Sequence, residues 1–412
     1  MKRIIAAIIL ITFIASCHIG KMTSHNFAYL YDRDMLPFIP EYAIFNVSDS
    51  VTSVYYKFNT KNLLYVKQFD EKIFTAKFSL KGELYDNDEM KVLMDSSAVS
   101  MADNNNTVSK FITGNIDFKD KKPGAHILKL TFSDLNKNTT VESFLTVNRG
   151  NRNERQNFIL LNSDSVPAYN SYVTAEQEFR LLYNNMKTNK LFVRYYNRVF
   201  PVAVPPYSVS NEKPIDLKAD SSFTVSLTEG STAMLNFTNK GIYHFQADTN
   251  QKDGFTLFRF DDDFPEITNT SQMLYPIRYL STKNEYADLV SLKNDKEAID
   301  KFWIENAGNA DRARQMIKLY YNRVMDANRF FTSYLEGWKT DRGIIYIIYG
   351  PPNVVYKGKN VEAWVYGEDK NMLSINFTFR KLDNPFTDND YSLTRSPAYK
   401  DGWYIAVDNW RR

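Results

Sequence analysis

The chain has 412 residues, 43% hydrophobic and 24% charged, a globular composition long enough for two or three domains. A net charge of +3, with no basic stripe interleaved with aromatics, speaks against a nucleic-acid partner. Aromatics reach 15%, with 27 Tyr and 29 Phe, which favours β-rich cores, and no internal apolar run is long enough to cross a bilayer.

The N-terminus reads as a targeting segment. Lys2 and Arg3 are a positive n-region, and Ile4 to Ile14 is an apolar stretch of signal-peptide length. It ends in Ile14-Ala15-Ser16-Cys17, which resembles a bacterial lipobox. Cys17 is the only cysteine, so an intrachain disulfide is excluded, and cleavage after Ser16 would make it the first residue. The expectation is a signal peptide over 1–16, an acylated Cys17 that partners a lipid bilayer, and a polar tether over 17–26. In lipoproteins of the bacteria whose proteins the C-terminal motifs of this chain resemble, an acidic cluster after the cysteine accompanies export to the cell surface. His18-Ile19-Gly20-Lys21-Met22 has none, which points to the periplasmic face of an outer membrane.

From 27 to 150 the pattern is short strands and turns. Tyr42–Val47, Val51–Phe58, Ile73–Tyr85, Ile127–Phe132 and Val141–Val147 are rich in β-branched and aromatic residues. In the third of these, Phe74, Ala76, Phe78 and Leu80 alternate with Thr75, Lys77 and Ser79. Asp103-Asn104-Asn105-Asn106 reads as a solvated loop tip. A second strand set fills 151–265, namely Phe158–Leu161, Phe179–Tyr183, Leu191–Tyr196, Phe223–Leu227, Met234–Phe237, Ile242–Phe245 and Phe255–Phe260. Pro201-Val202-Ala203-Val204-Pro205-Pro206-Tyr207 interrupts it as a loop or edge. Both sets predict immunoglobulin-like β-sandwiches. Asp261-Asp262-Asp263 lacks the spaced acceptors of a calcium loop and reads as a turn.

The unit over 266–412 changes period. Asn294 and Glu297 suggest a capping box, with Ala298, Phe302, Trp303 and Ile304 as the apolar side of a helix that Gly308 ends. Asn309 then caps a longer helix whose stripe is Ala313, Ile317, Tyr320, Val324, Ala327 and Phe331. Thr340-Asp341-Arg342-Gly343 reads as a tight turn, and Ile344–Tyr349, apolar on both faces, as a buried strand. Gly350-Pro351-Pro352-Asn353 stops it. Val361–Tyr366 and Met372–Arg380 continue the sheet, the latter with Leu373, Ile375, Phe377 and Phe379 on one face. The fold class is therefore mainly β, two sandwiches followed by an α+β unit of a helix pair on an antiparallel sheet.

Gly337-Trp338-Lys339-Thr340-Asp341-Arg342-Gly343, Tyr349-Gly350-Pro351-Pro352 and Glu362-Ala363-Trp364-Val365-Tyr366 together resemble the GWxTD domain of envelope proteins from Bacteroidetes and related bacteria. The resemblance implies an envelope location and brings no established activity with it. Its motif positions, which are also the candidate interaction residues, are Gly337, Trp338, Thr340, Asp341, Arg342, Gly343, Gly350, Pro352, Glu362 and Trp364.

Catalytic chemistry finds little support. His18, His25, His126 and His244 are scattered, and no zinc-protease, nucleophile-elbow or phosphate-loop motif occurs. No catalytic residue, metal or cofactor is expected. Asp341 and Arg342 are read as architectural, with Arg342 pairing Glu336 or Glu362. The Gly350–Asn360 loop offers Tyr356, Lys357 and Lys359 as a contact surface. Two readings follow. One is a non-enzymatic envelope lipoprotein that docks another envelope protein. The other is a glycan binder or enzyme acting on envelope polymer at Asp341, Arg342 and Glu362. Convergent acids in a cleft would favour the second.

Overall fold

The structure, a computed structural model, describes residues 25–32, 40–67, 73–87, 89–104, 108–209 and 215–411. The expected targeting segment, Cys17 and most of the expected tether lie outside the described residues. The described chain is β-rich, with a C-terminal helical region followed by strands.

The first unit is built from β1 (Glu41–Ser48), β2 (Val51–Asn59), β3 (Val66–Lys67), β4 (Phe74–Tyr85), β5 (Leu93–Asp103), β6 (Phe111–Lys119), β7 (Gly124–Asp134) and β8 (Thr139–Arg149). One sheet has the order β1-β2-β6, and the other β3-β4-β7-β8 with β5 on β4. The alternation seen in the sequence decides which side is buried: Ala76, Phe78 and Leu80 of β4 point inward. There Phe78 and Phe132 meet Phe58 of the facing sheet at ring distances of 5.1 and 4.7 Å. β5 and β6 are additional to the expected strands. Asp103 is not part of a loop tip. It ends β5, is buried, and accepts a hydrogen bond from the Tyr65 hydroxyl (2.6 Å).

The second unit is a single seven-stranded sheet. It contains β9 (Phe158–Asn162), β10 (Phe179–Tyr183), β11 (Lys190–Tyr196), β12 (Ser221–Thr228), β13 (Ser231–Thr232), β14 (Gly241–Gln246) and β15 (Phe255–Arg259). The order is β15-β14-β11-β12-β13-β10-β9, yet Phe158 of β9 and Phe255 of β15 lie 6.2 Å apart. The sheet therefore curls until its two ends share one core. Met234–Phe237 is not a strand, since only Leu235 bridges to Phe179 there. Pro201–Tyr207 is a loop, as its prolines require.

The third unit gathers all five tryptophans, Trp303, Trp338, Trp364, Trp403 and Trp410, into one core. Its helices are α1 (Thr270–Leu274), α2 (Lys283–Ser291), α3 (Asp295–Ala307), α4 (Ala310–Phe331), α5 (Asp341–Tyr349) and α6 (Lys400–Asn409). Its antiparallel sheet has the order β16 (Val354–Lys357), β17 (Val361–Tyr366), β18 (Ile375–Lys381), β19 (Tyr391–Leu393). α4 buries the expected stripe from Ala313 through Tyr320, Val324 and Ala327 to Phe331. Asn294 caps α3 by accepting from Lys296 N (3.0 Å), without the reciprocal bond expected of Glu297, and Ile304 faces solvent.

One expectation is overturned here. Ile344–Tyr349 is not a strand but most of helix α5, and Thr340–Gly343 is its first turn and cap. Six apolar residues fit either element when every face is buried, and Ile344 to Ile348 are all buried. The ends decide the matter. Thr340 Oγ1 accepts from Gly343 N (3.1 Å), and Asp341 lies in the first turn, favourable to the helix dipole. At the other end Arg323 Nη1 donates to the carbonyls of Ile347 (3.1 Å) and Ile348 (3.2 Å). Trp410 Nε1 donates to Ile348 as well (3.1 Å), so the last carbonyls do not remain orphaned. The loop after Gly350 also differs from expectation, because it contains β16.

The described N-terminal segment joins this third unit. Phe27 N donates to Val355 O (2.8 Å), and Tyr31 is buried in the tryptophan core, where the Tyr346 hydroxyl donates to its carbonyl (2.9 Å).

Candidate functional site

The motif forms a knot of backbone and side chains between α4, α5 and the four-stranded sheet. Gly337–Lys339 is a single tight helical turn laid across α4. A Cβ on Gly337 would stand 1.8 Å from Ala327 O, and one on Gly343 would stand 1.9 Å from Gly337 O. Both positions therefore exclude a side chain, because backbone touches backbone there. Gly337 N donates to Thr332 Oγ1 (3.0 Å), and Trp338 N donates to Asn328 Oδ1 (3.2 Å). Thr340 Oγ1 donates to Gly337 O (2.8 Å) while capping α5. Trp338 is 7% exposed, and the Tyr279 hydroxyl donates to its carbonyl (3.2 Å).

The charged residues lie beneath this turn. Arg342 and Glu362 form an ion pair at 3.3 Å, with side chains 4% and 2% exposed. Arg342 Nη2 donates to Asn389 O (3.0 Å) and also bonds Asn389 Oδ1. Asn389 Nδ2 in turn donates to Phe330 O (3.2 Å) and Thr332 O (2.9 Å) at the end of α4. The guanidinium lies over the rings of Tyr391 (4.0 Å) and Phe331 (5.2 Å). Glu362 Oε1 accepts from Trp364 Nε1 (2.7 Å). Burial pushes the Glu362 carboxyl up, but Lys357, Arg342, Trp364 and Tyr31 outweigh it and hold the group below its usual range. It is a buried, charged and fully partnered carboxylate.

Asp341 is bonded beyond its own turn. Its Oδ2 accepts from Leu393 N (2.8 Å), and its Oδ1 pairs with Arg395. Arg395 Nη1 also donates to Val204 O (2.7 Å) and Pro205 O (2.8 Å). Ala203 N donates to Lys339 O (2.8 Å). The proline-rich loop of the second unit is thus clamped onto the motif through Asp341 and Arg395.

The sequence-derived residues fall into place as follows. Gly337, Trp338, Thr340, Asp341, Arg342, Gly343, Glu362 and Trp364 come together. Gly350 sits at the far end of α5 under Arg323, and Pro352 is buried just before β16. Of the two partners expected for Arg342, Glu362 is the one found, while Glu336 pairs with Lys339. Asp341 also reaches beyond its own turn, to Leu393 and Arg395. Tyr356 donates its hydroxyl to Asp369 (2.9 Å), and the Lys357 ammonium lies over the Tyr31 ring (4.9 Å). The acids of the Asp261–Asp263 run face separate partners: Lys240 for Asp261, Arg259 for Asp262, and Gln272 with Thr268 for Asp263. Among the described residues no group of three potential metal ligands converges.

Sequence reasoning missed Tyr31, Asn328, Asn389 and Arg395. Only Asn328 left a trace, as an amide beside the apolar stripe of α4. The other three approach from distant parts of the chain, with no local pattern to mark them.

The GWxTD domain family model matches residues 241–412. This C-terminal part of the chain is a GWxTD domain, and the matched range takes in β14 and β15 of the curled sheet as well as the helices and the last sheet. No curated protein matches the chain significantly.

Proposed function

We propose that this protein is a lipid-anchored envelope protein whose GWxTD domain serves a non-enzymatic scaffold or docking role in an outer-membrane assembly. Its acylated Cys17 holds it at the membrane, on the periplasmic side, and another envelope protein is its partner. The observation that supports this reading is the occupancy of the motif. Arg342 and Glu362 are almost wholly buried, and Asp341 is bonded to Leu393 and Arg395. Each of these three side chains is already engaged by the protein itself. The rival reading, a glycan binder or enzyme centred on Asp341, Arg342 and Glu362, needs those groups to be reachable.

The test is affinity purification of the full chain from detergent-solubilised envelope, with mass spectrometry of both bait and partners. The expected bait lacks residues 1–16 and carries acyl chains on Cys17, and a defined envelope protein co-purifies in constant ratio. Cys17→Ala should leave the membrane fraction. A bait with unmodified Cys17 would sink the anchor, and absence of any constant partner would sink the scaffold.

A further inference from the structure

The hairpin between β17 and β18 carries a feature that the sequence pattern did not foresee. Leu373 was expected to share one strand face with Ile375, Phe377 and Phe379. Phe377 and Phe379 are buried, but Leu373 is 91% exposed and its neighbour Met372 is fully exposed. Both belong to the eight-residue turn Gly367-Glu368-Asp369-Lys370-Asn371-Met372-Leu373-Ser374. The turn is folded onto itself. Asn371 N donates to Glu368 O (3.2 Å), Ser374 Oγ to Glu368 O (2.7 Å), Ser374 N to Asn371 O (3.1 Å) and Leu373 N to Asn371 Oδ1 (2.9 Å). Asp369 is tied back by the Tyr356 hydroxyl. The backbone of the turn thus bonds within itself, while Met372 and Leu373 project into solvent beside the exposed Glu368, Asp369 and Lys370. A local pattern broken in this way at an ordered turn marks a site with a role other than packing.

The direction of the N-terminal chain supplies the occupant. Tyr31 lies beneath Lys357, Phe27 bonds Val355, and Asn26 Nδ2 donates to Asn353 O (3.1 Å) while its Oδ1 accepts from Val355 N (2.9 Å). Read backwards from Tyr31, the chain therefore runs along β16 towards Asn353. Asn353 Oδ1 in turn accepts from Gly367 N (2.8 Å), the first residue of the turn. The segment leading to Cys17 therefore leaves the domain at the base of the hairpin that presents Met372 and Leu373. Eight residue steps separate Cys17 from His25. Fully extended, they reach at most about 29 Å.

We infer that the Met372–Leu373 turn is a second membrane contact, dipping into the bilayer to which Cys17 is anchored. This rests on the acylation of Cys17 proposed above. A single acyl attachment leaves the orientation of a protein free, whereas an apolar turn beside the exit of the tether fixes which end faces the lipid. The β17–β18 end of the GWxTD domain then faces the membrane.

The acylated protein, with its one native cysteine blocked, allows a thiol-reactive environment-sensitive dye to be placed at Leu373→Cys. The labelled full chain is reconstituted into vesicles of phosphatidylethanolamine and phosphatidylglycerol. Emission from position 373 should shift to the blue and be quenched by lipid carrying a spin label on its acyl chain. The same dye at Val199→Cys, 99% exposed on the loop after β11, should show neither effect. A dye at 373 that behaves like the one at 199, on protein whose Cys17 mass shows acylation, overturns this contact alone. Shielding without lipid quenching would mean that a protein covers the turn, and also overturns it. An unmodified Cys17 overturns both this inference and the anchor.

Discussion

The first sandwich and the GWxTD domain bury their polar groups in opposite ways. In the sandwich the space between the sheets is hydrocarbon, as in the cluster of Phe58, Phe78 and Phe132. Its buried polar groups stay at strand ends and turns: Asp134 accepts from Asn136 N and Lys137 N (both 3.0 Å), and Asp120 from Lys122 N (2.7 Å). In the GWxTD domain an Arg–Glu pair lies inside the core, beside Trp364 and Tyr31. A hydrocarbon core tolerates repacking, because dispersion has no direction. A buried ion pair does not tolerate it, because removing either partner strands a charge. The difference suggests that one region needs only to fold, whereas the other must hold a particular geometry.

The largest expected effects test that contrast. Arg342→Met should cost about 3–5 kcal/mol, since Glu362 would be left charged in the core without its ion-pair partner. Adding Glu362→Gln should restore part of the loss, because the amide oxygen can still accept from Trp364. Trp338→Ala should cost a similar ~3–5 kcal/mol as a large-to-small core change. All five tryptophans report on this domain, so chemical unfolding followed by tryptophan fluorescence measures it selectively. A double variant no more stable than Arg342→Met alone would break the comparison.

A pH titration sharpens it. His244, in β14 of the curled sheet, is buried, and no carboxylate among the described residues bonds it. Its Nε2 donates to Lys252 O (2.9 Å), and its Nδ1 accepts from Thr256 Oγ1 (2.9 Å), so the neutral ring is satisfied. Burial, with Arg155 and Arg194 nearby, pushes it from 6.5 down to about 4. The unfolded chain therefore binds the proton first, and stability falls as pH drops from 6.5 to about 4, by about 3 kcal/mol in all. Glu362 behaves differently. Its depressed carboxyl contributes fully above the unfolded carboxylate value, and the contribution is lost only as pH falls further through the folded value. Denaturant unfolding by circular dichroism and by tryptophan fluorescence should thus lose stability in that order. In His244→Gln the first loss should vanish, and its persistence would count against the assignment.

Strands with one solvated face were legible in the sequence, because a period of two leaves one reading. β4 is the plainest case. The stripe of α4 was legible for the same reason at period 3.6. α5 was misread because nothing faces water over Ile344–Ile348, which removes the period. The better signal was at its ends, where Thr340, Asp341 and Gly350 supply a cap, an acid in the first turn and a stop. Within the site, the pairing of Arg342 with Glu362 spans 20 residues and was anticipated as one of two choices. The Asp341–Arg395 pair spans 54 residues and joins the first turn of α5 to a loop, which no local periodicity encodes.

That pair gives the smallest of the expected effects and the one most informative about function. Asp341→Asn preserves the shape and can still accept from Leu393 N, but it removes the charge facing Arg395. Arg395 keeps its bonds to Val204 and Pro205, so it is weakened rather than stranded. Stability should fall by roughly 1–3 kcal/mol, and Asp341→Ala should lie at the upper end because it also leaves Leu393 N without its acceptor. If the residue holds the proline-rich loop against the motif and does nothing more, then cellular phenotype should follow the amount of folded protein at the membrane in both variants. Thermal stability, membrane abundance and phenotype should therefore be measured together. A variant with wild-type stability and abundance but no function would assign Asp341 a chemical or ligand-binding task. The scaffold reading would then yield to the rival centred on Asp341, Arg342 and Glu362.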